Sequence, residues 1–436
     1  MMTATTLSTP STPPTASSLT SRPGQASEAY RTARERLTPV FAEIAASAAQ
    51  READRHIDRG AVRALAEAGF TSLRVPVEYG GSGLTFAEQA PLILELAAAD
   101  SNLVQALRAH LINQENVLGH PDEALRQRWL RRLGEGAVVG NAVTEINNAV
   151  GQGTTTLVQD VAGTWRLNGT KYYSTGTLYA DWIIVAAVDA AGEEIAATVP
   201  VDAAGVTLLD DWDGFGQQLT ASGTTVFADT PVAAEEVYAG GLDDGTRVAT
   251  GQASWQFLHL AALTGIAEAI VRDGAAYVAG RRRSFSHGAA ELPREDAQVL
   301  QVVGELSAAA FGARAAFDSV VTALGGILER EAALTDGGQL PEQDVDELYV
   351  RVYQAQQVIA KTVLAAATQL FEVGGATALS QTKRLDRHWR NARVLANHNP
   401  LIYRARLLGD WEVNGTGPER SYRVGSAPAT PTPGAK

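Results

Sequence analysis

Apolar positions in the first third of the chain recur at the spacing of an amphipathic helix. This pattern runs from about Glu28 to Asn141, and Gly69 stands where a glycine commonly ends a helix. Two further helices are predicted over Ala87–Leu107 and Asn113–Leu133, after a turn-rich stretch that contains a glycine pair. We therefore predict an N-terminal helical domain over residues 28–140.

The period changes near Asn141, where short runs of β-branched residues begin. The pair Asn168-Gly169 lies between two such runs, and because Asn-Gly suits a type I′ turn, we predict a β-hairpin there. The remaining predicted strands are Trp182–Val188, Ile195–Val199, Val206–Leu209 and Thr224–Phe227. Residues 141–240 are therefore predicted to form an antiparallel sheet or a small β-barrel.

Long helices return after Gly251. Apolar residues recur at helix spacing from Val299 to Leu324, and a second long helix is predicted from about Val345 to Glu372. Helices of this kind usually form a bundle, which we place over residues 241–415. The order helix, sheet, helix predicts the α+β class rather than a doubly wound sheet. Residues 1–27 and 416–436, which are rich in Ser, Thr and Pro, are predicted to be disordered tails.

The composition of the 436-residue chain is that of an ordinary soluble globular protein, with 45% apolar and 19% charged residues. The net charge of −13 disfavours a nucleic-acid or anionic-membrane partner, because both require a positive surface. No apolar run reaches the roughly 18 residues of a membrane span, and the first segment lacks the apolar core of a signal peptide. We therefore expect a cytoplasmic location.

Sulfur is almost absent from the chain. It contains no cysteine, and its only two methionines are Met1 and Met2. The missing cysteine excludes disulfides, thiolate metal sites and cysteine nucleophiles. Three readings of the missing methionine stay open: the composition of a GC-rich genome, synthesis of the protein when sulfur is scarce, or protection from peroxide-like intermediates.

Common catalytic motifs are also absent. There is no GxGxxG at the start of a βαβ unit, no GxxxxGK[ST], no HExxH and no GxSxG. The seven histidines are scattered singly without metal-ligand spacing, so no metal site is predicted. A bound organic cofactor is the remaining route to difficult chemistry.

Five segments resemble, in order and in spacing, motifs of the acyl-CoA dehydrogenase family. They are VPVEYGGSGL (75–84), NAVTE (141–145), NGTKYYSTG (168–176), DGFGQQLTASGTTVFADTPV (213–232) and FEVGGATA (371–378). The resemblance implies an N-terminal helical domain, a middle β-barrel domain and a C-terminal four-helix bundle. It also implies that Thr144 bonds the edge of a flavin ring, and that Gly374 and Gly375 meet the cofactor of a neighbouring subunit.

The departures from that family are informative. Dehydrogenases need a carboxylate to remove a proton from the substrate, usually a Glu in a Tyr-Glu-Gly-Thr turn. In the corresponding stretch, RNARVLANHNP (390–400), Asn399 replaces the Glu and His398 replaces the Tyr. The alternative location, residues 251–264, contains no Asp or Glu. The dehydrogenase interpretation therefore lacks its base.

The segment LDRHWRNARVLANHNP (385–400) is instead similar to a monooxygenase branch of the family, which includes the dibenzothiophene monooxygenases. That branch binds reduced FMN and forms a C4a-hydroperoxyflavin with O2. The resemblance implies catalytic roles for His398 beside the flavin, His110 on the opposite wall and Thr175 facing flavin N5. It implies flavin contacts for the residues Asn141, Ser174, Trp212, Arg281 and Arg283.

We accordingly predict a two-component enzyme that oxygenates a small organosulfur compound with reduced FMN and O2. The chain has neither a nicotinamide-binding fingerprint nor cysteines for an iron–sulfur cluster, so a separate NAD(P)H:flavin reductase is expected. The resemblance further implies a homotetramer. Two alternatives stay open: an FAD-dependent acyl-CoA dehydrogenase, or a non-catalytic flavin-binding scaffold.

Overall fold

The computed structural model describes residues 27–145, 153–239, 249–334 and 338–420. Helices are followed by a sheet and then by long helices, as the sequence pattern predicts. Residues 1–26 and 421–436 of the two predicted tails, and the boundary at 240/241, lie outside these residues.

Six helices make up the first part, and two of the predicted helices are each divided in two. They are α1 (Glu28–Asp54), α2 (Arg59–Glu67), α3 (Phe86–Ala99), α4 (Ser101–Ala106), α5 (Arg108–Gly119) and α6 (Glu123–Gly134). Asp100 interrupts the first predicted helix, because its extended backbone and its side-chain bond to Asn102 N begin a new helix. Pro121 and Asp122 interrupt the second, and the Asp122 carboxylate caps Ala124 N and Leu125 N.

Eight strands form one sheet in the described part of the chain. They are β1 (Val139–Ala142), β2 (Thr156–Gln159), β3 (Trp165–Lys171), β4 (Trp182–Val188), β5 (Glu194–Pro200), β6 (Val206–Leu208), β7 (Thr225–Val232) and β8 (Val237–Ala239). The order is β6-β7-β3-β2-β4-β5-β8, and β1 also pairs with β4.

The sheet is mixed rather than antiparallel, which corrects the sequence prediction. β1 and β2 both run parallel to β4, with Val139 opposite Trp182 and Thr156 opposite Val188. They lie end to end along β4, β1 against its first residues and β2 against Val188 at its last. Within the described residues β6 and β8 do not pair with each other, so the sheet is not closed into a barrel.

The predicted hairpin at Asn168-Gly169 is wrong. Both residues lie inside β3, where the pairing with β7 shifts between Leu167 and Gly169 as in a β-bulge. A Cβ on Gly169, whose φ is +153°, would lie 2.4 Å from Thr155 Oγ1, so the bulge needs a glycine. The turn between β2 and β3 comes earlier, where the Asp160 carboxylate accepts hydrogen bonds from Ala162 N and Thr164 N.

The last part is helical, as predicted. Its helices are α7 (Gly251–Gly280), α8 (Ala297–Ala332), α9 (Glu342–Gln369), α10 (Gly375–Ala378), α11 (Asp386–Asn397) and α12 (Leu401–Asn414). The helices α7, α8 and α9 pack on one another, and α11 lies across α7 and α9 as the fourth helix of the bundle. The predicted apolar stripe of α8 is buried from Leu306 to Leu324.

Helices α7 and α8 are long and apolar enough to cross a membrane by length and composition alone. The apolar window of α7 is 83% buried in the fold, which is the pattern of a core helix in a soluble protein. The window of α8 is only 39% buried, and Leu300 and Phe311 on that helix are exposed.

One hydrophobic core extends through both helical parts, and the sheet has a second core of its own. A third, smaller cluster joins Trp129 and Leu133 of α6 to Val139 of β1. The strand β1 also packs against α5.

Candidate active site

A buried ion pair sets the relative position of the NAVTE and KYYSTG segments. Lys171 Nζ lies 2.7 Å from Glu145 Oε1 and also donates to the Val143 carbonyl. Desolvation opposes ionisation of Glu145, but hydrogen bonds from Lys171, Thr154 and Thr155 outweigh it and hold the Glu145 pKa well below its ordinary value. The carboxylate is therefore ionised and structural.

The same pair brings the predicted flavin-contacting residues of the two segments together. Tyr172 N donates to the Thr144 carbonyl at 2.8 Å, and Asn141 N donates to the Thr175 carbonyl at 3.3 Å. Thr144 is exposed and Asn141 is half-buried. Ser174, which the resemblance predicts to contact the flavin, is fully buried.

Thr175 belongs to a chain of hydroxyl groups. Its Oγ1 lies 2.9 Å from Ser222 Oγ, which lies 2.8 Å from Thr220 Oγ1, and Thr220 donates to the Gln217 carbonyl. Sequence analysis missed Ser222 and Thr220, although the run LTASGTT concentrates hydroxyl side chains. This chain of hydroxyl groups holds the Thr175 hydroxyl in one orientation in the segment that follows β3.

Trp212 lies beside the same segment. Its Nε1 donates to the Gln217 carbonyl at 3.1 Å, and its ring meets Tyr173 edge to face at 5.8 Å. Gly214 permits this position, because a Cβ there would lie 2.1 Å from the indole. Tyr173 is 49% exposed, so the two rings form a partly open aromatic surface.

The RHWRNAR segment of α11 holds the helix in place. Asp273 accepts hydrogen bonds from both Arg387 and His388. Arg390 bonds Glu52 and the Phe215 carbonyl. Asn391 donates to Glu52 and accepts from Gln217 N. Burial and the neighbouring Arg387 lower the His388 pKa to about 4, so this histidine is neutral and has a supporting position.

His398 follows α11 and lies in a cluster of three basic side chains. Its ring centroid is 4.2 Å from that of His259, and Arg108 Nη1 lies 3.3 Å from His398 Nε2. Arg108 also contacts His259 Nε2. His398 is exposed to the cleft, yet desolvation by the surrounding protein and the charge of Arg108 lower its pKa to about 3. The imidazole is therefore neutral at physiological pH.

Neither Arg108 nor His259 was predicted from the sequence. His259 is the one titratable residue in the segment 251–264, which sequence analysis searched only for acids. Burial, His398 and Arg108 lower the His259 pKa well below its ordinary value. The cluster therefore carries a single positive charge, on Arg108.

Asn399, which replaces the catalytic Glu of the dehydrogenases, is buried. Its Nδ2 donates to Gln256 Oε1 at 2.6 Å, and Gln356 Nε2 donates to the same oxygen at 2.7 Å. The Asn399 Oδ1 lies 3.4 Å from His398 Nδ1. This amide network orients the His398 ring and supplies no proton acceptor of carboxylate strength.

His110, for which the resemblance implies a catalytic role on the wall opposite His398, is not part of this cluster. It is completely buried, and its Nε2 donates to the Thr71 carbonyl at 2.7 Å while its Nδ1 accepts from Val139 N at 3.4 Å. Burial lowers its pKa to about 4. Both ring nitrogens are engaged with the backbone, so the geometry is that of a structural histidine that ties α5 to β1, and Arg108 reaches the cluster instead.

The hydroxyl chain and the basic cluster are adjacent in the fold. A Cβ on Gly176 would lie 2.2 Å from the carbonyl oxygen of Ala106, so the Thr175-Gly176 backbone rests on the junction between α4 and α5. Arg108 begins α5, two residues after Ala106. The Thr175 hydroxyl and the His398 imidazole therefore belong to the same region.

A second group of residues that are predicted to contact the cofactor lies at the other end of α7. Arg281 Nη1 donates to the Val373 carbonyl at 2.6 Å, next to Gly374 and Gly375. Both glycines are sterically required, because their Cβ atoms would lie 2.4 Å from the Tyr277 ring and 2.7 Å from the Phe285 ring. Arg283 is exposed, and its carbonyl accepts from Arg281. Arg281 lies about 33 Å along the helix from His259.

The fold and this site define a flavoprotein architecture, and comparison with known proteins identifies the family. The acyl-CoA dehydrogenase N-terminal domain matches residues 27–137, and the acyl-CoA dehydrogenase C-terminal domain matches residues 257–401. The chain belongs to the acyl-CoA dehydrogenase family, which confirms the resemblance predicted from its motifs.

Within this family, the chain is similar to flavin monooxygenases. It is 29% identical to a probable FMNH2-dependent monooxygenase, SfnC, of Pseudomonas putida, over 88% of this chain and 96% of that relative. It is 29% identical to the dibenzothiophene monooxygenase of Rhodococcus qingshengii, over 81% of this chain and 86% of that relative. The FMN-bound structure of TdsC from Paenibacillus sp. A11-2 superposes with a TM-score of 0.81 at 27% identity, covering 89% and 99% of the two chains.

Proposed function

We propose that this protein is the oxygenase of a two-component system, which uses reduced FMN and O2 to oxygenate a small organosulfur compound. The observation that carries the proposal is the loss of the carboxylate base, which Asn399 replaces, beside a neutral imidazole, His398, in the same region as the Thr175 hydroxyl. Relatives named as FMNH2-dependent and dibenzothiophene monooxygenases, and an FMN-bound neighbour of the same fold, support it.

The residues present fit a flavin ring. The exposed aromatic surface of Tyr173 and Trp212 suits a planar, partly apolar group, while Thr144 and Thr175 offer hydrogen-bonding groups. The hydroxyl chain through Ser222 holds Thr175 in one orientation before any ligand arrives. Reduced FMN, when bound, supplies the electrons that activate O2.

His398 is the group that handles protons. Its Nδ1 faces Asn399 Oδ1 and its Nε2 accepts from Arg108. Once Nε2 is released from Arg108, a neutral imidazole can take up a proton there and return it to an oxygen. Asn399 positions the ring, and His259 packs against it and limits the entry of water.

The separate position of Arg281, Gly374 and Gly375 supports an oligomeric active site. At about 33 Å along α7 from His259, this group is too far away to bind the phosphate of an FMN whose ring lies beside His398 of the same chain. We infer that it binds the phosphate of a neighbouring subunit's flavin. Leu300 and Phe311, which are 49% and 76% exposed on α8, are apolar surface that such an assembly would cover, and we propose a homotetramer.

Two further assignments complete the proposal. Reduced FMN is delivered by a separate NAD(P)H:flavin reductase, because the sequence contains no nicotinamide-binding fingerprint. The location is cytoplasmic, where NAD(P)H and such reductases are available.

Oxygen consumption by the purified protein tests the proposal. With a flavin reductase, NADH and FMN, a panel of organosulfur compounds should include one that is converted to a product containing one oxygen atom from O2. The control is the same mixture without the protein, which releases hydrogen peroxide only. Tight FAD that is bleached by an acyl-CoA would instead identify a dehydrogenase, and absence of affinity for reduced or oxidised flavin would identify a scaffold.

A further inference from the structure

The hydroxyl chain of Thr175, Ser222 and Thr220 meets a backbone carbonyl at each of its ends. At one end, Thr220 Oγ1 donates to the Gln217 carbonyl at 2.9 Å; at the other, Thr175 Oγ1 lies 3.3 Å from the Tyr173 carbonyl. Ser222 Oγ lies between them, 2.8 Å from Thr220 Oγ1 and 2.9 Å from Thr175 Oγ1. Thr220 and Ser222 are 1% and 6% exposed, so the protein rather than water directs their hydroxyl hydrogens.

An unusual backbone conformation brings these groups together. Residues two positions apart on an extended strand are separated by about 6 to 7 Å, whereas Thr220 and Ser222 place their oxygens 2.8 Å apart. Ala221 between them has a φ of +51°, and Tyr173 and Gln217, whose carbonyls end the chain, have φ values of +56° and +52°. Side chains disfavour this left-handed region, and such conformations are concentrated at functional sites. The strain therefore indicates that this arrangement of hydroxyl groups serves the site.

The hydroxyl chain has fewer hydrogens than contacts. It makes four oxygen–oxygen contacts, but its three hydroxyl groups carry one hydrogen each. The contact left without a hydrogen is the longest, which joins Thr175 to the Tyr173 carbonyl. Thr220 then donates to the Gln217 carbonyl, and Ser222 must donate to Thr220. Thr175 must in turn donate to Ser222, so its hydrogen points into the protein and its oxygen can only accept a hydrogen bond from a ligand.

The opposite direction of the hydroxyl chain is less favourable. Donation from Thr175 to a ligand would require Ser222 to turn its hydrogen towards Thr175. Thr220 would then turn its hydrogen towards Ser222, and its 2.9 Å bond to the Gln217 carbonyl would be lost. That carbonyl keeps its bond from Trp212 Nε1, so the loss is limited to one hydrogen bond, which corresponds to a factor of about five in a binding constant.

We propose that Ser222 and Thr220 are positioning residues that make Thr175 a hydrogen-bond acceptor, and that the site thereby selects reduced FMN over oxidised FMN. This inference rests on the proposed function, which takes Thr175 to face the flavin ring. The ring atom N5 carries a hydrogen when the flavin is reduced and is a bare acceptor when it is oxidised. An accepting Thr175 can bond N5–H, but it meets the oxidised ring with one lone pair against another.

Such a preference suits an oxygenase that receives its cofactor from a separate protein. It favours uptake of reduced FMN from the reductase, and it favours release of oxidised FMN once the reaction is complete. Thr175 is 7% exposed, so its oxygen can meet a ligand only over a small area, and the direction of its single hydrogen decides which ligand atom it accepts there.

Equilibrium titrations of the protein with oxidised FMN and, under anaerobic conditions, with dithionite-reduced FMN test this inference. The wild-type protein should bind the reduced form at least about fivefold more tightly. Thr220→Val leaves Ser222 free to donate to Thr175, so oxidised FMN should bind this variant about fivefold more tightly than the wild-type protein, while the Kd of reduced FMN stays within about twofold. The midpoint potential of the bound flavin should fall by about 20 mV, since tenfold in a two-electron equilibrium is about 30 mV.

Two further variants and a control identify the cause. Ser222→Ala should change the two Kd values in the same direction as Thr220→Val. Thr175→Val should instead lose the preference because reduced FMN binds more weakly. Thr230→Val, which removes the hydroxyl of a fully buried threonine on β7 outside the hydroxyl chain, is the matched control and should leave both Kd values within about twofold. General damage to the fold would weaken both forms, so tighter binding of oxidised FMN is specific to the hydroxyl chain.

Oxidised 5-deaza-FMN, in which a C–H group replaces N5, tests the wild-type protein by itself. It presents no lone pair to the Thr175 oxygen, so it should bind at least about threefold more tightly than oxidised FMN, and Thr220→Val should remove this difference.

Three results would contradict the inference and leave the monooxygenase intact. They are equal affinity of the wild-type protein for the two redox forms, equal affinity for oxidised FMN and its 5-deaza analogue, and equal weakening of both redox forms in Thr220→Val and Ser222→Ala. Absence of binding of either form would instead overturn the proposed function. The comparison with 5-deaza-FMN decides the question even if the variants fail to fold.

Discussion

His398 lies next to Asn399, which occupies the position of the dehydrogenases' catalytic Glu, and its surroundings keep the imidazole neutral. The ring is placed by Asn399 on one side and Arg108 on the other, at 3.4 and 3.3 Å. Only the imidazole in this network combines exposure to the cleft with a proton-accepting nitrogen. At the scale of single residues, the proposed mechanism therefore depends on this side chain.

Replacing His398 tests that dependence. His398→Ala should reduce product formation by about 10²-fold or more, the usual contribution of one acid–base group, while reduced FMN still binds. Thr175→Ala should have a different effect, because losing its hydroxyl weakens flavin positioning and raises hydrogen peroxide release per NADH. His56→Ala, which removes an exposed histidine, is the control. Near-normal product formation in His398→Ala would mean that the histidine is structural.

The buried His110 predicts an acid sensitivity of folding. Its pKa is about 4 in the folded protein, against an ordinary value of 6.5, so between these pH values the unfolded chain binds more protons. Stability therefore falls as pH decreases from about 6.5 to 4, and this group alone accounts for about 2 kcal/mol at pH 5.

The measurement is the free energy of unfolding in urea at pH 7 and pH 5. His110→Gln keeps a donor for the Thr71 carbonyl but cannot be protonated, so the loss of stability between the two pH values should be smaller in the variant by about 2 kcal/mol. An unchanged pH dependence would show that His110 is not held neutral in the folded protein.

At the level of the elements, the site depends on close contact between the Thr175-Gly176 segment, which follows β3, and the junction of α4 and α5. Gly176 has a φ of +84°, and a Cβ there would lie 2.2 Å from the Ala106 carbonyl oxygen. That contact places Thr175 near Arg108, since Arg108 begins the next helix. A shift of the Thr175-Gly176 segment would therefore change the distance between the Thr175 hydroxyl and the basic cluster.

Gly176→Ala should lower both stability and product yield. Gly163→Ala is a matched control, because Gly163 has a similar φ of +81° with no atom within 4 Å of the added Cβ. Gly163→Ala should lower the free energy of unfolding by about 1 kcal/mol, which is the cost of the backbone conformation alone. Gly176→Ala should lower it by at least about 1 kcal/mol more, because the Ala106 carbonyl must move. Thermal unfolding and the ratio of product to peroxide are the measurements. Equal effects of the two substitutions would argue that the contact is unimportant.

At the scale of the whole molecule, the proposed flavin site is built from two subunits. His398 of one chain and Arg281 of another would serve the same flavin, because these groups are too far apart within a chain. The variants His398→Ala and Arg281→Ala should each form less product than the wild-type protein. Mixed oligomers from co-expression should form more product than either variant, because some of their sites combine an intact His398 with an intact Arg281. Tandem purification with two affinity tags isolates the mixed species. No recovery in these species would place the whole flavin within one chain.

The scarcity of sulfur in the chain makes a prediction about the cell. If the lack of methionine beyond Met2 reflects sulfur scarcity, the protein should become more abundant when sulfate is replaced by an organosulfur compound. Protection from peroxide predicts constant abundance instead, and so does a composition set by the genome. Quantitative proteomics of sulfate-replete and sulfate-starved cultures separates the first reading from the other two.

Sequence alone was enough to predict the family, the order of the helical and β parts, and the absence of the dehydrogenase base. These properties are recorded in local periodicity and in short segments such as NAVTE and RNARVLANHNP, which can be recognised without knowing what they touch. The long helix α8 and the strand β4 were predicted for the same reason.

Only the tertiary structure decided which side chains meet. Asn168-Gly169 has the local chemistry of a turn, but pairing with β7 and the close approach of Thr155 make it a bulge. His110 and Arg108 lie two residues apart on α5, and packing turns the first towards Thr71 and the second towards His398. His259, which lies on α7 and 151 positions after Arg108, contacts the Arg108 side chain. Contacts between residues this distant in the chain leave no periodic pattern, because they depend on how the finished elements pack.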